Sequence, residues 1–212
     1  MADTMAPRVP EALLRAYEKM WQEATHHPFL EEVKAGTLAP ERFARWLVED
    51  YHFVRHLFKM QARLAAAAPR RDIDLISRGL RALVDELHWF ERNARRLKLD
   101  LTLPMLPECK AYTDFLHSLS YEPYVAQLVA LWALERAYLE SWQHASPAAS
   151  PYEEFARRWT SPEFEEYVQA LEQAVLQALE DAAEHERAAA AEAFYWVAYH
   201  ERRFWDMVYY GT

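Results

Sequence analysis

The sequence predicts an all-α fold, and three observations support that prediction. Only three glycines occur among 212 residues, at Gly36, Gly79 and Gly211, whereas sheets and tight hairpins usually need more glycine in their turns. Ala, Leu, Glu and Arg dominate the composition, and all four favour helices. Apolar residues also recur at helical spacing almost from end to end. The length fits one domain better than two, so we expect a single domain over residues 1–212.

Prolines and one glycine divide the first half of the chain into helices. The residue before a proline avoids the helical region, so the first helix should end before His27-Pro28. Gly36 is a good C-terminal stop, and Pro40 suits the first turn of a long helix that ends before Pro69. These signals predict helices over residues 11–25, 31–34, 40–67 and 72–97.

The second half begins with a loop over residues 98–107, which contains two prolines. A linker over residues 146–150 precedes Pro151, which suits the start of a short helix. Ser161-Pro162 is a typical N-terminal cap for the helix after it. The remaining helices are expected over residues 110–118, 122–144, 162–180 and 188–210.

Charge and cysteine content argue against several classes of function. Acidic residues outnumber basic ones 33 to 24, giving a formal charge of −9, so nucleic acid is not an expected partner. Cys109 is the single cysteine and cannot form an internal disulfide. Neither a leader-like apolar segment nor a run of about 18 apolar residues occurs, so we expect a cytoplasmic protein without membrane contact.

Three acidic residues interrupt the apolar stripes of three different helices. Asp50 falls in the stripe of the long helix 40–67, Glu135 in that of helix 122–144, and Glu201 in that of the last helix. Any one of them could be a core acid satisfied by a neighbour, because an unpaired buried carboxylate is costly. Together they predict a polar pocket in an aromatic core, where raised or split carboxyl pKa values support acid–base chemistry.

An ordered set of short motifs spans nearly the whole chain. It comprises His27-Pro28-Phe29, Gly36-Thr37-Leu38, Asp50-Tyr51, Ala111-Tyr112-Thr113, and a closing group of Glu201, Phe204, Trp205 and Met207. With these motifs the chain resembles the TenA/thiaminase-II family. That resemblance implies a heme-oxygenase-like helical bundle that assembles as a homodimer or homotetramer, for which the apolar pairs Trp89-Phe90 and Tyr209-Tyr210 are candidate interfaces.

The resemblance also implies a substrate and a set of roles. Family members bind a 4-amino-2-methylpyrimidine in the bundle core, with no metal or other cofactor. Asp50 is expected to bond the exocyclic amine, and Tyr112 and Glu201 to contact the ring on its other edge. Further candidate binding residues are Phe53 and Trp159, which stand where many members carry tyrosine, together with Tyr138 and Glu86.

One departure from the thiaminase-II pattern concerns the nucleophile. The cysteine that this branch carries on helix 122–144 is absent, and the candidate positions for it are Leu134 and Glu135. The run from Leu131 to Glu135 resembles the branch in which a glutamate replaces the cysteine. The resemblance then implies a hydrolase of the 5-aminomethyl pyrimidine or its N-formyl derivative, releasing hydroxymethylpyrimidine and ammonia in thiamin salvage. Cys109 lies outside that helix. The catalytic candidates are therefore Glu135, Glu201 and Asp50.

Other functions remain open at this point. Without the cysteine, the same pocket could bind aminopyrimidines without converting them, as a regulatory protein does. A heme-oxygenase-like di-metal oxidase would need about six clustered carboxylate and histidine ligands, and His200 and Asp206 do not supply that pattern. A heme oxygenase is disfavoured because His26-His27 lie at a proline break.

Overall fold

The protein is described here by a computed structural model that covers residues 6–211. Within that span the chain forms ten α-helices and one 3₁₀ turn, Leu119–Tyr121, with no strand. The helices are α1 Pro10–Ala16, α2 Glu18–Thr25, α3 Pro28–Ala35, α4 Pro40–Ala67, α5 Arg70–Leu97, α6 Pro107–Ser118, α7 Tyr124–His144, α8 Glu153–Arg158, α9 Pro162–Asp181 and α10 Glu184–Tyr210. The all-α prediction is confirmed.

The expected first helix is wrong, because the chain breaks at Tyr17. This residue has φ −121° and ψ 25°, outside the helical region, and its ring stacks on Phe194 of α10 at 5.8 Å between centroids. The break lets α1 contact α9 while α2 packs against α10 and α7.

Several helix boundaries also differ from the expected ones, for reasons of capping. The helix α3 begins at Pro28 because the imidazole of His27 accepts a hydrogen bond from the backbone N–H of Phe29. The last helix begins at Glu184, four residues early, because the Glu186 carboxylate accepts the N–H of Ala183 at 2.8 Å. Helices α6 and α7 begin at Pro107 and Tyr124, and α8 begins at Glu153, after Pro151.

The helix α7 lies at the centre of the bundle. Its residues Val125 to Glu135 are all buried, as expected of a helix that is apolar on every side. It packs against α10, α9 and α2, while α4 packs against α5 and α6. Within residues 6–211 no helix is both long and apolar enough to cross a membrane.

The structure corrects one candidate interface residue. Phe90 is fully buried and packs against the rings of Trp46 and Trp159, because it faces the same core as Leu83 on the apolar side of α5. It therefore cannot form an exposed apolar edge. Tyr210 is 61 % exposed, and an interface there stays a prediction.

Candidate active site

A cavity of about 470 Å³ lies between α4, α5, α7, α9 and α10. Its size falls within the range of small-molecule sites, about 300–1,000 Å³. Asp50, Glu135 and Glu201 all line it, although they come from three separate helices, and Glu86 of α5 is a fourth carboxyl group in the wall. The structure thus places all three predicted acids in the wall of the same cavity.

Two of these acids are held by tyrosine hydroxyls. The hydroxyl of Tyr138 donates to Oδ2 of Asp50 at 2.5 Å, and that of Tyr112 donates to Oε1 of Glu201 at 2.7 Å. Such bonds favour the ionised form of the accepting carboxyl. Each acid is therefore fixed in orientation and partly stabilised as a carboxylate.

A third carboxyl group, that of Glu86 on α5, is held by an indole from the segment after α8. The indole Nε1 of Trp159 donates to Oε1 of Glu86 at 2.7 Å. The Trp159 ring stacks on Trp142 with 5.0 Å between centroids, so the indole that carries the donor is locked by the aromatic core. Trp159 and Glu86 both line the cavity.

Glu135 differs from the other three carboxyl groups because no hydrogen bond holds it within residues 6–211. Its side chain lies on α7, one turn before Tyr138, and the residue is 8 % exposed. Burial, followed by the nearby charges of Glu86, Glu201 and Asp50, raises the pKa of Glu135 to about 8. Glu135 is thus a neutral, unrestrained acid at pH 7, which suits a proton donor.

The other carboxyl groups also hold protons more tightly than usual. Burial raises the pKa of Glu201 to about 7, against the bond from Tyr112. Burial raises the pKa of Asp50 well above its ordinary value, against the bond from Tyr138. Burial also raises the pKa of Glu86, which the charge of Arg158 opposes. The charges of Asp50, Glu86 and Glu201 each raise the pKa of Glu135, so the titrations of these carboxyl groups are coupled.

Among the aromatic candidates, Phe53 and Tyr138 line the cavity, whereas Tyr112 is absent from its lining. The Tyr112 ring packs between Phe53 at 4.7 Å and His200 at 5.0 Å. Its hydroxyl is used on Glu201. Tyr112 therefore stands behind Glu201 and acts on the cavity through that carboxyl.

The structure adds lining residues that the sequence analysis did not identify. Tyr167 and Phe164 enter from α9, and Gly79 and Arg78 from α5. Tyr167 and Phe164 lie on an apolar face, which by itself indicates only core packing. The sequence signal that could have pointed to this part of the wall is Gly79, because a glycine in a helix interior destabilises the helix by about 1 kcal/mol relative to alanine.

Cys109 and His27 lie outside the cavity lining. The Cys109 thiol is buried on α6 and donates to the backbone oxygen of Glu49, and burial raises its pKa. The His27 ring caps α3 and contacts Asp206 at 3.3 Å. Among the described residues, no group of three or more His, Cys, Asp or Glu side chains is arranged to hold a metal ion.

Comparisons with known proteins find relatives over nearly the whole chain. Residues 14–211 match the TENA/THI-4/PQQC family. The chain is 29 % identical to a probable bifunctional TENA-E protein from Glycine max, covering 93 % of this chain and 91 % of that one. It is 24 % identical to an aminopyrimidine aminohydrolase from Bacillus subtilis, covering 92 % and 86 %.

Solved structures show the same fold. A TenA homologue from Pyrococcus furiosus is 32 % identical and superposes with a TM-score of 0.90, covering 94 % of this chain and 98 % of that one. A domain with a heme oxygenase-like fold from Shewanella denitrificans has a TM-score of 0.76 at 15 % identity, covering 95 % and 92 %. The heme-oxygenase-like architecture expected from the sequence is thereby confirmed.

Proposed function

Because the chain belongs to the TENA/THI-4/PQQC family, we propose that it hydrolyses a 4-amino-2-methylpyrimidine bearing a 5-aminomethyl or N-formylaminomethyl group. At the level of the family, the relatives support a TenA-type hydrolase of thiamin salvage. The single observation that supports the finer proposal is the unrestrained carboxyl of Glu135, facing a cavity sized for one flat heterocycle. We place the chain in the branch that uses glutamate where thiaminase II uses cysteine.

The reaction replaces one carbon–nitrogen bond with a carbon–oxygen bond. The bond between the ring-bound CH₂ and its amine breaks, water supplies oxygen to that carbon, and the products are the hydroxymethylpyrimidine and ammonia. The leaving amine needs a proton, and the attacking water must lose one. A single group that gives a proton and then accepts one can serve both steps.

Glu135 has the protonation state that this cycle requires. With a pKa of about 8 it is protonated at pH 7 and can donate to the leaving nitrogen, after which its carboxylate can accept a proton from water. Asp50 faces the cavity as an acceptor for the exocyclic amine. Glu201, with a pKa of about 7, can hold or release a proton at a ring nitrogen. No metal or cofactor is needed for these steps.

The variant Glu135→Gln tests the proposal. We expect ammonia release from the aminomethylpyrimidine to fall by about 10²–10⁴-fold, the usual worth of a general acid–base group, because the amide cannot donate a carboxyl proton. Binding of hydroxymethylpyrimidine, measured by calorimetry, should persist. The matched control is Glu165→Gln on the exposed face of α9, which should keep full activity.

Three outcomes would contradict the proposal. Full turnover in Glu135→Gln would remove this residue from the chemistry. Binding without ammonia release by the unmodified protein, across aminomethylpyrimidine, its formyl derivative and thiamin, would identify a binding protein. A stoichiometric redox metal in the purified protein would instead support a di-metal oxidase.

A further inference from the structure

Gln61 and Tyr167 form a buried polar pair at the edge of the cavity. The amide Nε2 of Gln61 donates to the backbone oxygen of Ile76 at 2.9 Å and to the hydroxyl oxygen of Tyr167 at 3.1 Å. The carbonyl oxygen of Ile76 is only an acceptor, which fixes the nitrogen of Gln61 on this side. The Tyr167 oxygen is therefore an acceptor in this bond, and its hydroxyl proton remains free to donate.

Gly79 makes this pair possible. A β-carbon at position 79 would stand 2.1 Å from the Tyr167 hydroxyl and 2.2 Å from Nε2 of Gln61. Gly36 and Gly211, the other two glycines, both have positive φ at helix C-termini, whereas Gly79 lies inside α5. The one helix-interior glycine thus opens the space in which the hydroxyl and the amide meet.

The hydroxyl of Tyr167 contrasts with the carboxyl groups around it. Burial raises the phenol's pKa, and the nearby charge of Glu135 adds to that effect, so the group stays protonated. No hydrogen bond joins Tyr167 to Glu135 in the part of the chain that the structure describes. A neutral, positioned hydroxyl donor in the cavity wall can stabilise an acyl oxygen as negative charge develops on it.

We propose that Tyr167, positioned by Gln61, donates its hydroxyl proton in a hydrogen bond to the acyl oxygen of an N-formyl substrate. This inference rests on the proposed function, and it makes the formamide a substrate of the same cavity. Water adds to the formyl carbon and gives one proton to the ionised form of Glu135, the carbon–nitrogen bond of the formamide breaks, and the nitrogen takes that proton from Glu135. Formate and the free aminomethylpyrimidine leave.

The variant Tyr167→Phe tests the role of the hydroxyl. The free amine has no acyl oxygen, so its hydrolysis should fall by a much smaller factor than that of the formamide. Formate release from the N-formyl compound should fall by about 10²–10³-fold in kcat, the usual effect of removing one oxyanion donor. The control Tyr152→Phe removes a buried hydroxyl that bonds Leu38 outside the cavity, and both activities should survive in it.

Gln61 is tested as a positioning residue by Gln61→Leu, alone and combined with Tyr167→Phe. Alone it should lower kcat for the formamide without raising KM for the amine. In the Tyr167→Phe background it should add no further loss, because its effect passes through the hydroxyl. Gly79→Ala should reproduce the selective loss, since its methyl group displaces both partners.

The inference and the proposed function fail in different ways. Equal losses on both substrates in Tyr167→Phe, or unchanged formamide hydrolysis, would overturn the role of Tyr167 while leaving the hydrolase intact. Absence of activity on both substrates in the unmodified protein would instead remove the proposed function and the inference with it.

Discussion

At the scale of single residues, Tyr112 and Glu201 behave as one unit. Tyr112 donates at 2.7 Å and lowers the pKa of a carboxyl that burial raises to about 7. Replacing Tyr112 with Phe removes the bond that favours the ionised form, so the pKa of Glu201 should rise. The limb of the profile of kcat/KM against pH that reports Glu201 should move to higher pH.

The outcome distinguishes a direct from an indirect role for Tyr112. A hydroxyl that touches the substrate would give a raised KM with an unmoved profile, contrary to the position of Tyr112 behind Glu201. The companion variant Tyr124→Phe loses a hydroxyl bond to Asp72 that lies outside the cavity lining, and its profile should match that of the unmodified protein.

Residue patterns could identify Asp50, Glu135 and Glu201 because a carboxyl group in an apolar stripe conflicts with its surroundings. Tyr167 gives no such conflict, since a tyrosine on an apolar face is ordinary core. Its role depends on Gln61, 106 positions away, and a contact of that kind becomes visible only when α4 and α9 are placed together. The pairing of Tyr112 with Glu201 was hidden for the same reason.

At the scale of elements, the close approach of α3 to the linker over residues 146–150 depends on Gly36. This residue ends α3 with φ +71°, and a β-carbon there would stand 2.8 Å from the backbone oxygen of Ser150. Gly36→Ala should therefore combine the cost of a left-handed alanine, about 1–2 kcal/mol, with that clash. Urea unfolding should show a loss of more than about 2 kcal/mol.

Gly211 provides the matched comparison, because it also ends a helix with positive φ, +83°, but a β-carbon there would have side-chain rather than backbone atoms as its nearest neighbours, those of the Arg45 guanidinium at 3.1–3.3 Å. In Gly211→Ala the free energy of unfolding should fall only by the cost of placing alanine in the left-handed conformation, about 1–2 kcal/mol. Equal losses of unfolding free energy in the two variants would show that the linker over residues 146–150 moves away from the new methyl group without an energetic cost.

Element positions were predictable where proline or glycine marked a boundary, as at Pro40, Pro162 and Gly36. The break at Tyr17 has no such mark, because the chain turns there to satisfy packing of α1 and α2 on different helices. The early start of α10 depends on a capping bond between Glu186 and Ala183, which the apolar period does not reveal.

At the scale of the whole molecule, the buried acids make stability depend on pH. Glu135 has a pKa of about 8 when folded, above its ordinary 4.5, so the native state keeps a proton that the unfolded chain has lost. Stability therefore falls as pH rises across that interval. Between pH 7 and 8.5 the free energy of unfolding should decrease by up to about 1 kcal/mol per pH unit from this residue.

That window lies above the pH range in which His27, His56, His117 and His200 titrate, because burial lowers the pKa of each of these four side chains. In Glu135→Gln the decline between pH 7 and 8.5 should be shallower, and the control Glu165→Gln should retain it. Parallel curves for Glu135→Gln and the unmodified protein would mean that Glu135 is ionised in the native state at neutral pH. The all-α class itself was predictable because composition and period favour helices throughout the chain.

The four buried carboxyl groups of the cavity wall have a consequence for the binding of any basic ligand. A basic heterocycle that shifts the pKa values of Asp50, Glu86, Glu135 or Glu201 when it binds makes the complex hold more or fewer protons than its separate parts. Capture and release are then coupled to the acidity of the surrounding medium, and the bundle exchanges hydrogen ions with bulk water each time its ligand enters or leaves.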